Sequence, residues 1–103
     1  MAEIRIKGKH LHSLWQHTMG CMFQSEMQPL IFIFKHPKKI GIHTCFVQQS
    51  IDIAFLNEKN KIIELKLDMK PWQFYTSKSA PKYMVETKSK QFNLKLGDKV
   101  IFL

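Results

Sequence analysis

Arginine is almost absent from this chain. Sixteen of its 103 residues are basic, and Arg5 is the one arginine among them; the rest are lysines. Specific recognition of base edges and phosphates favours the planar guanidinium fork, whereas lysine supplies a diffuse, solvated charge. The composition therefore argues against a specific nucleic-acid reader. The net charge of +8 still permits weak, non-specific attraction to polyanions.

Glycine and cysteine are also scarce. The 4 glycines never cluster, so the sequence contains no phosphate-binding glycine loop and no nucleophile elbow. The 2 cysteines, Cys21 and Cys45, lack the CxxC spacing of metal and redox sites. A disulfide would form only if the fold brought their Cα atoms within about 7 Å, and we interpret them as small buried hydrophobes in a reducing compartment. We expect a cytoplasmic protein with no metal or other cofactor.

Long hydrophobic runs are missing as well. No stretch approaches the roughly 18 unbroken apolar residues that a membrane-spanning helix needs. The N-terminal sequence has no apolar region after its charges, so we predict neither a secretory signal nor a membrane partner. No repeat or linker divides the chain, and its length suits a single domain over residues 1–103.

The sequence does contain a series of short apolar segments. Three of them are rich in β-branched and aromatic residues and are separated by polar breaks, which is typical of strands. They are Ile42–Val47, Ile51–Leu56 and Ile62–Leu67. The break Asn57–Lys61 predicts a hairpin loop in which Asn60 takes a positive φ.

The flanking sequence adds further strands and one helix. Glu3–Lys9 alternates between apolar and polar residues, and Leu30–Phe34 is apolar throughout, as expected of a strand covered on both faces. Lys82–Thr87 and Lys99–Leu103 predict strands near the C-terminus, and His12–Gln24 predicts a short amphipathic helix. Together these patterns predict a mainly β fold: a small antiparallel β-sandwich or barrel-like domain with one short helix near the N-terminus.

Several motifs of this sequence occur in an order that resembles a known family. They are Gly20–Phe23, Leu30–Phe34, Phe46–Leu56, Tyr83–Glu86 and Gly97–Val100. From about residue 19 to residue 103 the chain resembles the domain-of-unknown-function family numbered 192, in its archaeal-type form. The resemblance implies a β-rich sandwich or barrel-like fold and implies no activity. Among the departures from the family, Ser50 replaces a proline and Thr44 stands near a methionine.

Asp52 is the most unusual acidic residue, because it lies within the apolar segment Ile51–Leu56. A buried carboxylate without partners is strongly unfavourable or shifts its pKa. Two interpretations are open: a structural aspartate that accepts backbone amides or meets a lysine, and a ligand-binding carboxylate in a cleft. Glu86, on another predicted strand, is its one plausible acidic partner. An acid–base pair would need a separation of about 5–10 Å, which sequence spacing does not decide.

An aromatic and lysine-rich segment follows the predicted hairpin. Its members are Lys70, Trp72, Phe74, Tyr75, Lys78 and Lys82. These residues could form a stacking platform with a cationic rim for single-stranded nucleic acid. Alternatively, Trp72 packs into the core, as aromatic side chains usually do.

Three histidines and a cysteine near the N-terminus form a pattern that resembles a metal site. They are His10, His12, His17 and Cys21. Spacings of two and four residues would place pairs of them on one face of a strand or helix. No acidic residue lies nearby to orient the ligands, so we interpret the histidines as ordinary surface or capping residues and predict no metal site.

Three functions are compatible with these residues. The favoured one is a small, non-catalytic β domain that binds a small ligand or a protein in a shallow cleft near Asp52, Trp72 and Glu86. The alternative is a non-specific binder of single-stranded nucleic acid that uses the lysines and the aromatic segment. The third is an enzyme that uses Asp52 and Glu86 as its acid–base pair.

Overall fold

Nine β-strands make up the part of the chain that the computed structural model describes, which is residues 2–11, 29–36, 38–44 and 49–103. In chain order they are β1 Glu3–Ile6, β2 Lys9–Leu11, β3 Leu30–Ile33, β4 Gly41–His43, β5 Ile51–Leu56, β6 Ile62–Met69, β7 Phe74–Thr76, β8 Tyr83–Lys88 and β9 Lys99–Phe102. The predicted helix over His12–Gln24 lies outside the described ranges. Within those ranges we find no helix, and so none with the length and hydrophobicity to cross a membrane.

A five-stranded sheet with the order β2-β3-β8-β5-β6 forms the centre of the molecule. Its strand β5 is buried along all 6 of its residues. Successive side chains of a strand point to opposite faces, so Ile53 and Phe55 belong to one hydrophobic cluster. Ala54 and Leu56 belong to the cluster on the opposite face. Burial on both faces explains why the sequence of this strand is almost continuously apolar.

Two short ribbons cover the two faces of the central sheet. On one face the antiparallel ribbon β4–β7 turns Ile42 inward, and Tyr75 packs against the same cluster. On the other face the parallel ribbon β1–β9 contributes Ile6 and Val100. The described part of the molecule is therefore three layers deep, with two hydrophobic cores separated by the central sheet.

Strand β3 confirms the prediction that its apolar segment is covered on both faces. Leu30 and Phe32 lie in the core beneath the β4–β7 ribbon, and Ile31 lies in the other core. The backbone of Gly8, just before β2, passes very close to the backbone of Pro29, just before β3. A Cβ atom on Gly8 would lie 2.3 Å from the carbonyl oxygen of Pro29. Glycine is therefore required where the chain enters β2 beside β3.

The predicted hairpin over Asn57–Lys61 is confirmed. Strands β5 and β6 pair in antiparallel fashion around this loop, and Asn60 has a φ of 64°. The side chain of Asn57 holds the loop, since its Oδ1 accepts the Lys59 and Lys61 amides at 2.9 and 3.0 Å. The loop thus uses the local side-chain bonding for which asparagine is favoured in turns.

The mainly β class is confirmed, but the predicted antiparallel sandwich or barrel needs correction. The pairs β1–β9 and β2–β3 are parallel. Within the described ranges the central sheet is open, with β2 and β6 at its edges, so a closed barrel is wrong for this part of the chain. The physical reason is that alternation along one strand predicts the strand but not its partner, and β1 and β9 come from opposite ends of the chain.

Replacement of Ile53 by alanine should lower the free energy of unfolding by about 2–5 kcal/mol, because it opens a cavity around a side chain that is 0% exposed. Ile63→Ala is the matched control, since Ile63 is 40% exposed on the edge strand β6 and should cost about 1 kcal/mol or less. Urea unfolding followed by circular dichroism would measure both changes. Equal losses for the two variants would contradict the burial of β5 on both faces.

Candidate functional site

Asp52 lies on β5, is 4% exposed and accepts two backbone hydrogen bonds. Its Oδ1 accepts the Asp68 amide at 2.8 Å, and its Oδ2 accepts the Lys90 amide at 3.0 Å. Both donors have positive φ angles, 53° and 65°, which non-glycine residues rarely adopt. Asp68 lies where the β5–β6 register shifts between Ile51 and Ile53. The carboxylate thus fixes a β-bulge and a tight turn, as the structural interpretation of Asp52 requires.

Glu86 is buried on the opposite face of the central sheet. It pairs across the strands with Ile53 and Leu30, which both belong to the core beneath the β4–β7 ribbon. Asp52 instead shares its face with Ala54, in the core beneath β1–β9. The sheet backbone separates the two carboxylates, so the structure does not bring the predicted acid–base pair together.

A small cavity of about 270 Å³ lies beside Asp52. It is lined by Asp52, Leu67, Lys90, Phe92, Asn93 and Leu94. Pockets that hold small molecules usually measure about 300–1,000 Å³, so this one is small for a ligand. Neither Trp72 nor Glu86 lines it. The three residues predicted to share one cleft therefore lie in three different places.

Trp72 and Phe74 are exposed to solvent, at 60% and 78% of their surface. Phe74 lies directly opposite His43 in the β4–β7 ribbon, and their ring centroids are 6.3 Å apart. Because Ile42 and Tyr75 of this ribbon point into the core, His43 and Phe74 lie on its outer face. The alternative in which Trp72 packs into the core is not what the structure shows. We call Trp72, Phe74 and His43 the aromatic surface.

Thr44 fixes the turn that presents Trp72. Its buried hydroxyl donates to the Lys70 carbonyl at 2.6 Å and accepts the Gln73 amide at 2.9 Å. The Trp72 amide donates to the Thr44 carbonyl at 3.0 Å. Sequence reasoning did not select Thr44 as a site residue. The one feature of the sequence that could have pointed to Thr44 is its hydroxyl group within the apolar segment Ile42–Val47.

Trp72 adopts a left-handed backbone conformation, with a φ of 65°. For a residue that carries a Cβ atom this conformation costs about 1–2 kcal/mol. A further hydrogen bond stabilises this turn: the Lys70 amide donates to the Oε1 of Gln73 at 2.9 Å. Strained backbone persists where the surrounding structure determines it, and such strain is common at binding sites.

Tyr75 points inward and does not belong to the aromatic surface. Its ring stacks on Phe55 with the centroids 6.0 Å apart, and its hydroxyl donates a hydrogen bond to Glu64. Glu64 also accepts the Lys78 and Ser79 amides at 3.0 and 2.9 Å. Sequence reasoning missed Glu64. The feature that could have pointed to it is a charged residue within the predicted apolar strand Ile62–Leu67. This cluster attaches the β4–β7 ribbon to the edge strand β6.

The contact between Tyr75 and Glu64 shifts both pKa values. Burial raises the pKa of Glu64, but the hydrogen bonds from Tyr75, Lys78 and Ser79 outweigh it and bring the pKa below its ordinary value. The hydrogen bond to Glu64, followed by burial and by the charge of Glu64, raises the pKa of Tyr75 to about 12. At neutral pH the pair therefore consists of an ionised Glu64 and a neutral Tyr75.

The structure separates two of the predicted nucleic-acid contacts, Lys70 and Lys82. Lys70 follows Met69, which pairs with Ile51 at one end of β5. The Lys82 amide donates to the carbonyl of Leu56, at the other end of β5. At about 3.3 Å per residue these two ends are roughly 17 Å apart. Lys82 is thus separated from the lysine next to the aromatic surface.

Of the predicted metal-like pattern, His10 is the one member inside the described ranges. Its ring contacts Phe102 with a centroid separation of 5.9 Å. His12, His17 and Cys21 lie outside the described residues.

Comparison with known proteins identifies the family. The DUF192 family model, described as "Uncharacterized ACR", matches residues 3–102. The chain belongs to the DUF192 family.

A UPF0127 protein of Pyrococcus furiosus is 34% identical over 86 residues, which cover 82% of this chain and 73% of that protein. A UPF0127 protein of Thermococcus sibiricus is 34% identical over 76 residues, which cover 69% of this chain and 49% of that protein. These relatives confirm the archaeal-type resemblance, and the chain spans about half the length of the Thermococcus protein.

A solved structure has the same fold as this DUF192 chain. The crystal structure of a protein of unknown function from Novosphingobium aromaticivorans superposes with a TM-score of 0.75 at 15% identity, covering 94% of this chain and 71% of that chain. At this identity the likeness establishes the fold alone. Since the DUF192 description assigns no activity, a function has to be inferred from the chain's own residues.

The Tyr75–Glu64 pair predicts a pH-dependent contribution to stability. Folding raises the pKa of Tyr75 from 10.0 to about 12, so its stabilisation is complete below pH 10 and is lost as the pH rises towards 12. The stability difference between the wild-type DUF192 chain and Tyr75→Phe should therefore shrink over this interval. Chemical unfolding at a series of pH values would measure that difference.

A phenolate absorbance titration of Tyr83→Phe gives a second readout, because Tyr75 is then the remaining one of the 2 tyrosines. The titration midpoint of the folded variant should lie near pH 12, and the midpoint in denaturant should lie near 10.0. A midpoint near the ordinary value in both conditions would contradict the hydrogen bond from Tyr75 to Glu64.

Proposed function

We propose that this DUF192 chain is a non-catalytic module that binds a protein partner through the aromatic surface of Trp72, Phe74 and His43. The observation that carries the proposal is the exposure of Trp72 and Phe74, at 60% and 78%, at and just after a strained turn. Exposed apolar patches often mark interaction sites, and aromatic residues at interface centres supply much of the affinity. The cytoplasmic location expected from the sequence is part of this proposal.

The aromatic surface is preformed. The Thr44 amide donates to the Gln73 carbonyl at 2.9 Å, next to the turn that carries Trp72. At the other end of the ribbon the Ser77 amide donates to the Ile40 carbonyl at 2.8 Å. A backbone fixed in this way loses little conformational entropy on binding, which favours affinity.

A protein fits this surface better than a small molecule does. Two cavities lined by described residues, of about 610 and 270 Å³, do not include Trp72 or Phe74 in their linings. Small ligands usually bind in concave pockets that bury most of their surface, whereas protein interfaces centre on aromatic anchors with a polar rim. Lys70 and Asp68, which form an ion pair at 3.0 Å next to the turn, can supply part of such a rim.

The positions of the carboxylates support a non-catalytic role. Both oxygens of Asp52 accept backbone amides, so this carboxylate already has a structural role in the fold. Glu86 faces the other core, where it pairs with Ile53. A general acid or base has to come within hydrogen-bonding distance of the substrate, and these two side chains cannot approach one substrate from opposite faces of a sheet.

Replacement of the exposed aromatic residues should weaken partner binding and leave the fold intact. Trp72→Gly removes the ring and also relieves the positive-φ strain, so the free energy of unfolding should stay within about 1 kcal/mol of the wild-type value. Phe74→Ala should be tolerated as well, because that side chain is 78% exposed. Loss of an aromatic anchor typically costs about 2 kcal/mol of binding free energy or more, which is roughly a 30-fold loss of affinity.

The partner would be trapped by cross-linking to the wild-type chain in extracts, and its affinity would then be measured by calorimetry with the purified pair. Leu96→Ala is the matched control, because Leu96 is 65% exposed and lies outside the ribbon. Wild-type affinity in Trp72→Gly and Phe74→Ala would overturn the proposal. An equal loss in Leu96→Ala would do the same.

Single-stranded nucleic acid is the second candidate partner. It is favoured by the exposure of Trp72 and Phe74 in a chain of net charge +8, since stacking on exposed rings is worth about 1–3 kcal/mol per base. Two observations weigh against it. The Lys70 ammonium is already paired with Asp68 at 3.0 Å, and Lys82 lies at the far end of β5.

A salt series with a labelled single-stranded oligonucleotide would separate the two candidates. Nucleic-acid binding should weaken with a log–log slope of about −0.7 per neutralised phosphate, and Lys78→Gln should make the slope shallower by about that amount. Fluorescence anisotropy would report both values. If no binding is detected at low salt, the nucleic-acid candidate is excluded and the protein partner stands.

A further inference from the structure

A cavity of about 610 Å³ opens at the hairpin end of the central sheet. Its wall is formed by the chain that leaves β3, by the β5–β6 hairpin loop and by the chain that leads into β8. Among its lining residues are Lys35, Lys59 and Lys82, and we call it the lysine cavity. The volume lies within the range of about 300–1,000 Å³ that is typical of small-molecule sites.

The charge at the lysine cavity is predominantly positive. Its three lysines are accompanied by a single acidic residue, Glu58. Among the described residues no ion pair joins Glu58 to any of these lysines, so their charges are not neutralised at close range. Several like charges around one concavity create a local potential that attracts an ion of opposite sign.

The ammonium of Lys82 is held in a defined position. It donates to the Phe34 carbonyl at 3.0 Å and lies 6.0 Å from the centroid of the Tyr83 ring. An ammonium has three N–H donors, so Lys82 can keep this hydrogen bond and still donate to a bound anion. A positioned cation loses less side-chain entropy on binding than a mobile one does.

Backbone hydrogen bonds fix the wall around Lys82. The Phe34 amide donates to the Lys82 carbonyl at 2.9 Å, and the Lys82 amide donates to the Leu56 carbonyl at 2.9 Å. On the hairpin side, Asn57 accepts the Lys59 amide at 2.9 Å. The cavity is therefore built from segments that are tied to each other and to the central sheet.

The lining of the lysine cavity also has an apolar part. Phe34 and Pro81 are buried there, and Ala80 lies beside them. Phe34 also packs in the core beneath the β4–β7 ribbon, so the apolar surface open to a ligand is Ala80 and the edges of its two buried neighbours. A molecule with both an apolar body and an anionic group would cover the apolar lining and bring its charge to the lysines.

We propose that the lysine cavity binds a small organic anion, in which a carboxylate or a phosphate is joined to an apolar body. Lys82 and Lys59 bind the anionic group, and the apolar body contacts Ala80 and the accessible edges of Phe34 and Pro81. The site is independent of the aromatic surface, because Lys82 and Trp72 lie near opposite ends of β5. Loss of either site leaves the other unaffected.

The test uses phenyl phosphate as the probe and phenol as its neutral counterpart, with binding followed by amide chemical shifts in two-dimensional NMR. Phenyl phosphate should cause saturable shifts at the amides that surround the cavity, among them Lys35, Lys59 and Lys82. Phenol should bind at least about tenfold more weakly, because it lacks the charge that strengthens hydrogen bonds from the lysine ammonium groups.

Two lysine variants test the assignment of the charged contacts. Lys82→Gln and Lys59→Gln should each weaken phenyl phosphate binding by about tenfold or more. Lys59→Gln is included because the Lys59 side chain lies on an exposed loop, so this variant keeps its fold even if Lys82→Gln loses the bond to Phe34. Lys88→Gln is the matched control: it makes the same charge change at the far end of β8, whereas Lys82 immediately precedes the start of that strand.

Lys88→Gln should retain the wild-type affinity within about twofold, because its charge lies roughly 20 Å from Lys82 along β8. The proposal is overturned if the shifts do not saturate, or if they map to Trp72 and Phe74 instead of the cavity. It is also overturned if Lys88→Gln loses as much affinity as Lys59→Gln, because the effect would then come from net charge alone.

Discussion

Burial of both faces of β5 is the constraint on which the rest of the structure depends. Neighbouring residues such as Ile53 and Ala54 point in opposite directions, and both are 0% exposed. Each uncovered face of such a strand would forfeit about 25 cal/mol for every Å² of apolar surface left in water. The chain meets this constraint with one ribbon on each face, β4–β7 and β1–β9, and the parallel ribbon brings the two ends of the sequence together.

The same burial restricts what the polar groups of the inner layers can do. An unpaired carboxylate in β5 would be strongly unfavourable, and Asp52 avoids this by accepting two amides whose residues have positive φ. The acidic residue with the strongest sequence signal for chemistry is therefore used to hold a bulge and a turn. Glu64 has a similar role, because it joins Tyr75 of the outer ribbon to the edge strand β6.

In the described part of the chain the inner faces of the layers are occupied by the cores, so we look for function on the outer face of a ribbon and at the ends of the central sheet. The aromatic surface is of the first kind: Phe74 lies on the outer face of the β4–β7 ribbon and Trp72 in the turn before it, both rings are exposed, and we propose a protein partner for them. The lysine cavity is of the second kind: it is concave and cationic, and it suits a small organic anion. The two proposed sites differ in shape and charge, so the partners that we propose for them are chemically unrelated.

The sequence by itself determined the central strands and the hairpin turn, although β2 and β7 were not predicted from it. The apolar run Ile51–Leu56 and the positive φ of Asn60 follow from local periodicity and local turn preference, which need no partner. Tertiary structure decided how the strands pair and which side chains meet. Asp52 and Glu86 fall on opposite faces because the register of β5 against β8 sets the direction of each side chain. Trp72 is exposed in the turn that leads into an outermost ribbon, and whether an aromatic residue is covered depends on the layers above it, which no short stretch of sequence encodes.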